Sequence, residues 1–300
     1  MKAVSKITFL DDNGEKFFGE GPARLLRRID ETGSLRAAAM SMDMAYTKAL
    51  KLMKQAEAAL GFPLITRTTG GKAGGGSTLT AEGRRWLRQY EIYRDACIKV
   101  NQELYRQYFP KLGCVIMASG LGKRFGGNKL MANFRGKPMI QRALDATEGL
   151  FSHRVVVTRH DSVAQLCREQ NIDVVLHDLP HKSDTVRLGL EKLEDCDCCM
   201  FLPGDQPLLR RETVAALLES WQNSPNQICR PAYEDTEGSP VVFPAWAFPE
   251  LMNLPEGKGG GVVMQQHSHE ICRVSISNPF ELADADTPEM LTMLEGFCHD

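Results

Sequence analysis

The chain has 300 residues, 43% of them hydrophobic, which is long enough for two domains with separate cores. No stretch approaches the roughly 20 apolar residues of a membrane span, the N-terminus MKAVSKITFLDDNGEKFF lacks a signal-peptide pattern, and nine scattered cysteines are an odd number for a disulfide framework. A cytoplasmic protein with reduced thiols and no membrane partner is therefore expected.

The net charge of −2 hides an asymmetry: residues 1–112 carry 19 Lys and Arg against 12 Asp and Glu, whereas residues 113–300 carry 17 against 26. A basic module joined to an acidic one suggests two partners, one of them polyanionic.

From Pro22 the pattern turns helical. PARLLRRIDETG places Leu25, Leu26 and Ile29 on one face, and Gly33 acts as a stop. Ser34 is placed to cap a short helix, SLRAAAMSM, whose small alanines permit close helix contact. MAYTKALKLMKQAEAALG follows, with Ala49, Leu52, Met53, Ala56 and Leu60 as the buried stripe. Its other face opens with Tyr46, Thr47, Lys48 and Lys51, the helix-turn-helix layout in which a polar, basic helix start meets double-stranded DNA. Tyr46 either touches DNA or packs against the next segment. There, PLITRT and STLT flank a glycine loop carrying Lys72, a wing whose tip is placed to lie along a DNA backbone. Thr80 then caps a long helix, AEGRRWLRQYEIYRDACIKVNQELYRQYF, spaced through Trp86, Leu87, Tyr90, Tyr93 and Cys97. So small a domain cannot bury that stripe, and pairing in a homodimer is the expected solution.

TGSLRAAA, YTKALKLMKQ and TGGKAGGGSTLTAEG together resemble the DNA-binding domain of the bacterial molybdate-responsive transcription regulator, a relative of LysR-type winged helices, over roughly residues 18–108. The resemblance implies a DNA reader of dimeric habit. Nothing after residue 110 resembles that family's molybdate-sensing domain.

After Pro110 strands and helices alternate. GCVIMA, HRVVVT, IDVVLH and CCMFLPGD read as buried parallel strands, separated by the helical stretches PMIQRALDATEGL, DSVAQLCREQN and SDTVRLGLEKLED. The fold class is α/β: a winged helix-turn-helix over 1–112, then a doubly wound, mostly parallel sheet over 113–300. The cysteines of DCDCCM (195–200) lead into a strand without C-x-x-C spacing and read as ordinary small apolar residues.

In such sheets ligands bind outside the carboxyl ends of the strands, where the loop SGLGKRFGGNK (119–129) falls. The small residues Ala118, Ser119, Gly120 and Gly122 let backbone N–H groups approach a nucleotide, and Lys123, Arg124 and Lys129 suit a triphosphate. Asp205, at the end of the strand in MFLPGDQPLL, is a natural Mg²⁺ ligand, with Mn²⁺ an alternative. Asp284 and Asp286 in LADADTPEML read as helix-capping residues by themselves and as metal ligands beside Asp205.

The loop, DQP and D-x-D-T-P-E resemble the signature segments of GT-A-type molybdenum cofactor nucleotidyltransferases, the likeness spanning about residues 113–298. It implies transfer of CMP from CTP to molybdenum-bearing molybdopterin with release of pyrophosphate. HKSDTVRLGLEKL resembles that family's serine-containing loop, which implies that Ser183 approaches the nucleotide, and EGSPVVFP resembles its acceptor segment. Ala118-Ser119-Gly120 is closer to the Ala-Ala-Gly of the cytidylyl branch than to the Ala-Gly-Gly of the guanylyl branch, favouring CTP over GTP. One departure stands out. EGKGGGVVM puts Gly257 and Gly261 where the family has Asp and Arg, with Lys258 as the nearest replacement charge.

Overall fold

A computed structural model describes residues 3–68, 76–193 and 195–297. The chain forms two compact units, Met1–Tyr105 and Arg106–Asp300.

The first unit opens with a hairpin that the sequence did not announce, β1 (Thr8–Leu10) antiparallel to β2 (Lys16–Gly19). Helix α1 (Glu20–Thr32) ends at Gly33, whose φ of 67° closes a left-handed cap, and α2 (Leu35–Met40) starts with Ser34 accepting from the Ala37 N–H. Helix α3 (Tyr46–Leu60) buries Ala49, Met53 and Ala56; Leu52 and Leu60 are only half-buried, because the stripe facing α1 and α2 is narrow. Strands β3 (Ile65–Thr68) and β4 (Gly76–Leu79) pair antiparallel; the tip, with Lys72, lies outside the described residues. Helix α4 (Ala81–Tyr108) is capped by the Thr80 hydroxyl, which accepts from the Gly83 N–H at 2.8 Å. The core gathers Phe18, Leu25, Leu26, Ile29, Met53, Leu64, Leu87 and Tyr90, so contrary to expectation the unit buries the first part of the α4 stripe itself, while Tyr93 of that stripe and Ile92, Val100 and Leu104 stay exposed.

The second unit runs β5 (Leu112–Ala118), β6 (Asn133–Phe134), β7 (Lys137–Pro138), α5 (Ile140–Thr147), β8 (His153–Thr158), α6 (Asp161–Glu169), β9 (Asp173–Leu176), α7 (Lys182–Glu191), β10 (Cys198–Pro203) and α8 (Arg211–Asn223). It continues with β11 (Ile228–Tyr233), β12 (Thr236–Glu237), β13 (Val241–Pro244), α9 (Phe248–Met252), α10 (Gly261–Gln266), β14 (Ile271–Ser275) and α11 (Pro288–Glu295). The eight-stranded sheet has the order β12-β11-β13-β10-β5-β8-β9, with β14 also on β11. Strands β10, β5, β8 and β9 are parallel, and β13 is antiparallel to β10.

Apolar residues cover both faces of the central strands. Along β5, Cys114, Ile116 and Ala118 face one core, Val115 faces the other, and all four are buried, which explains the near-continuous apolar runs. Truncating a side chain such as Ile116 to Ala would cost roughly 2–5 kcal/mol. Cys198 and Cys199 are buried in β10. The chain leaves β5 toward β8 and β9 on one side, then returns to place β10 on the other. The topological switch point therefore lies between β5 and β10, with the glycine loop leaving one strand and Asp205 following the other. Among the described residues no helix is long and apolar enough to cross a membrane.

Candidate active site

Strand β5 ends at Ala118, and the chain then turns back on itself. Phe125 and Gly126 N–H groups both donate to the Gly122 carbonyl. Gly122 has φ +59°, and a Cβ there would lie 2.0 Å from the Gly127 carbonyl oxygen, so the turn requires glycine. The loop is tethered to the start of α6: His160 Nε2 lies 2.9 Å from the Gly120 carbonyl, and Asn128 Nδ2 donates to Ser162 Oγ at 3.0 Å.

The Ser119 hydroxyl donates to the Val157 carbonyl at 3.0 Å, so His177 Nε2–H donates to Ser119 Oγ at 2.8 Å. Burial, then the Arg159 charge, pushes the His177 imidazole below the usual histidine range. With its hydroxyl so engaged, Ser119 offers backbone to the site.

Strand β10 ends at Pro203, two residues before Asp205, and the Gly204 N–H still donates to the Met117 carbonyl at 3.0 Å, which holds the start of this turn against the end of β5. The last loop is docked on this turn: the Ala285 N–H donates to the Asp205 carbonyl at 2.9 Å. Asp286 N–H donates to the Asp284 carbonyl at 3.0 Å, a three-residue turn that sends the two carboxylates in different directions.

Lys129 sits between two of the carboxylates. Its Nζ lies 2.5 Å from Asp205 Oδ2 and 2.8 Å from Asp286 Oδ1, and Arg124 Nη2 takes Asp286 Oδ2 at 2.5 Å. Burial alone would push the Lys129 ammonium down, but the hydrogen bonds to Asp205 and Asp286 outweigh it and hold its pKa above the ordinary lysine value. The Lys129 hydrogen bond, reinforced by both cations against a smaller burial effect, holds the Asp286 carboxyl below the usual range. Asp284 goes the other way: crowding by protein, then the negative charge of Asp205, raises its carboxyl pKa.

A cavity of about 580 Å³ opens at this edge of the sheet. Ser119, Gly120, Asp205 and Asp284 line it, together with Arg159, His181 and Lys182; its inner wall is apolar, formed by Phe201, Val241, Phe243 and Met264. Gly261 also lines it, and a Cβ on the neighbouring Gly260 would meet the Phe243 ring at 2.6 Å, so the glycines of EGKGGG widen this wall.

The sequence-predicted residues thus divide. Arg124, Lys129, Asp205 and Asp286 are joined by ion pairs, and Ser119, Gly120, Asp205 and Asp284 share the cavity. Ala118 is buried behind it, with its carbonyl accepting from Thr158 Oγ1; Lys123 is exposed; Ser183 does not line the cavity, whereas Lys182 and Thr185 do. Arg159, immediately after β8, was not anticipated, although its place at a strand end is a readable signal.

Both oxygens of Asp286 are occupied by cations, which leaves Asp205 and Asp284 as the carboxylates facing the cavity. These hard oxygen donors fit a divalent cation, whose charge would offset the burial and the Asp205 repulsion that raise the Asp284 pKa. The adjacent Gln206 Oε1 is buried and without a hydrogen-bond donor. Among the described residues no group of three or more His, Cys, Asp or Glu side chains forms a metal cage, so phosphate oxygens would have to complete the coordination.

In the first unit, Tyr46, Thr47, Lys48 and Lys51 are exposed at the start of α3, and the Arg36 guanidinium lies 5.8 Å from the Tyr46 ring centroid. Arg36 extends this basic face and was not anticipated.

A nucleotide-loop strand beside a carboxylate-bearing strand defines the class, and residues 114–271 match the MobA-like NTP transferase domain: the chain belongs to that family. Residues 23–84 match the bacterial regulatory helix-turn-helix protein, lysR family, so the chain is a fusion of the two modules. One relative is the probable molybdenum cofactor guanylyltransferase of Aquifex aeolicus (strain VF5), 28% identical over 111 residues, 36% of this chain and 53% of that protein. Another is the mitochondrial 3-deoxy-manno-octulosonate cytidylyltransferase of Arabidopsis thaliana, 31% identical over 119 residues, 38% of this chain and 41% of that protein. The chain therefore spans about half, or less, of the length of these curated relatives, and their names divide between guanylyl and cytidylyl transfer. Among solved structures, Rv0371c from Mycobacterium tuberculosis H37Rv aligns with a TM-score of 0.54 at 20% identity, over 62% of this chain and 97% of that one. Its complex with manganese gives 0.52 at 20% identity, over 61% and 97%. At this identity the likeness is one of fold.

Proposed function

We propose that the second unit transfers CMP from CTP to the terminal phosphate of molybdopterin, releasing pyrophosphate, and that the first unit binds double-stranded DNA. The observation that carries the enzymatic reading is the meeting of Asp205 and Asp284 with Ser119 and Gly120 at one cavity, with Lys129 bound to Asp205.

In this reading, backbone at 119–122 cradles the phosphate chain, and Lys129 and Arg124 offset charge on the departing pyrophosphate. The acceptor phosphate is already anionic, so attack in line on the α-phosphorus needs no strong general base; positioning and charge neutralisation supply the rate. Asp205 and Asp284 would hold a magnesium or manganese ion, which when bound neutralises phosphate charge. Asp286 holds the two cations in place. The apolar wall of Val241 and Phe243 takes the acceptor, with Lys258 the nearest replacement for the charge the family carries at Gly261.

CTP is favoured over GTP by the Ala-Ser-Gly turn; guanylyl transfer to the same acceptor is the alternative. Pyrophosphate release should be measured with CTP and GTP, each with and without molybdopterin. Release that depends on acceptor with either nucleotide supports the enzyme. No release with any pairing leaves a regulator whose second unit only senses a nucleotide or pterin. Asp205→Ala should abolish turnover without unfolding the protein.

For the first unit, the exposed polar start of α3 is the proposed DNA-reading face. The apolar residues Ile92, Val100 and Leu104, which are 62%, 53% and 47% exposed along α4, are the proposed homodimer contact.

A further inference from the structure

Glu281 is completely buried, three residues before Asp284. Its Oε1 accepts from Arg210 Nε at 2.8 Å and lies 2.7 Å from Arg210 Nη2; its Oε2 accepts from the Arg210 N–H at 3.2 Å and from Thr213 Oγ1 at 2.5 Å. Arg210 and Thr213 stand at the start of α8, directly downstream of Asp205. Two further contacts tie the same two segments together. Gln206 Nε2 donates to the Leu282 carbonyl at 3.3 Å and to Asp284 Oδ1 at 3.1 Å, and the Ala285 N–H donates to the Asp205 carbonyl at 2.9 Å. The segments 205–213 and 281–285, far apart in sequence, are thereby locked in one register.

A buried ion pair contributes little net stability compared with an apolar pair of the same shape, because desolvation offsets the attraction. Its directional bonds do fix one arrangement. We propose that Glu281 is a positioning residue: by clamping its loop to the start of α8 it holds the Asp284 carboxylate at the distance from Asp205 that a divalent cation requires. This rests on the reading that Asp205 and Asp284 hold the ion.

The test is a titration of the full chain with Mn²⁺ in the presence of CTP and no acceptor, followed by electron paramagnetic resonance, alongside CTP binding in EDTA and thermal unfolding. Glu281→Gln replaces one accepting oxygen with a donor facing Arg210. It should weaken Mn²⁺ binding about tenfold or more while leaving CTP binding in EDTA unchanged, the scale of effect seen when outer partners of metal ligands are lost. Asp284→Asn sets the full loss, and adding Glu281→Gln to it should cost nothing more, since Glu281 acts through Asp284. Wild-type Mn²⁺ affinity in folded Glu281→Gln, or additive losses in the double variant, overturns the proposal. Undiminished Mn²⁺ binding in Asp284→Asn overturns instead the reading on which it rests. Should Glu281→Gln fail to fold, Thr213→Val removes a single bond of the clamp; a measurable loss of Mn²⁺ affinity there upholds the proposal and an unchanged affinity overturns it.

Discussion

Lys129 is bound to Asp205 at 2.5 Å while only 7% exposed, so one nearly buried ammonium neutralises the carboxylate that ends the path out of β10. Lys129→Met leaves Asp205 and Asp286 facing each other without that charge. We expect a stability loss of roughly 1–3 kcal/mol, less than for a wholly buried pair because Asp286 is partly solvated, together with loss of turnover. A urea titration monitored by far-ultraviolet circular dichroism, with pyrophosphate release measured in parallel, checks both.

The neighbouring Lys129–Asp286 pair predicts a pH window. Asp286 has its pKa depressed below the ordinary 3.8, so its contribution is full above that value and is lost as pH falls through the folded one. Lys129 has its pKa raised above the ordinary 10.5, so its contribution is full below that value and is lost as pH rises through the folded one. The stability difference between wild type and Lys129→Met should therefore be flat between about pH 5 and 9 and shrink on the acid side. A difference that grows steadily from pH 5 to 9 contradicts this assignment.

Asp284 carries the opposite sign. A raised carboxyl pKa means that the folded state binds its proton more tightly, so its stabilising effect is present below the ordinary 3.8 and is lost as pH rises through the folded value. At neutral pH, Asp284→Asn should raise stability slightly, by up to about 1 kcal/mol because the carboxylate is open to the cavity, while turnover falls. Differential scanning calorimetry at pH 7 reads the first effect; a lower melting temperature would count against the burial and repulsion described for Asp284.

Gly122→Ala forces a side chain against the Gly127 carbonyl from a left-handed backbone conformation. It should cost roughly 1–3 kcal/mol and raise KM for the nucleotide. Gly127→Ala, where an added Cβ meets nothing within 4 Å, should leave the melting temperature nearly unchanged. Equal effects of the two substitutions would show that the turn is not the constraint.

On the DNA side, Lys48→Ala combined with Lys51→Ala should weaken operator or non-specific duplex binding and reduce the slope of log affinity against log salt by about 2, one unit for each lost phosphate contact. Pyrophosphate release should be untouched. Fluorescence anisotropy across a salt series measures the slope, and an unaltered slope removes these lysines from the interface.

The sequence pattern carried most of the architecture, because buried parallel strands are continuous apolar runs and helix ends carry visible caps; Gly33, Ser34 and Thr80 act where they were expected to. Finer aim was harder to read. Ser183 was expected at the nucleotide because its segment resembles a serine-containing loop before a helix, but it lies within α7, and Lys182 and Thr185 line the cavity instead. Asp284 and Asp286 looked interchangeable because spacing cannot report the turn between them. Glu281 gave no signal, since its partners Arg210 and Thr213 are about 70 positions away and only the folded chain brings them close. The N-terminal hairpin was missed because strands of three and four residues are too short to show alternation.

The neighbouring placement of β5 and β10 has a consequence for biosynthesis. As the polypeptide leaves the ribosome, the glycine loop emerges first, Asp205 some eighty residues later, and Asp284 and Asp286 about eighty residues after that. A nascent or prematurely terminated product can therefore display the helix-turn-helix unit and the glycine turn while lacking the carboxylates that meet at the cavity.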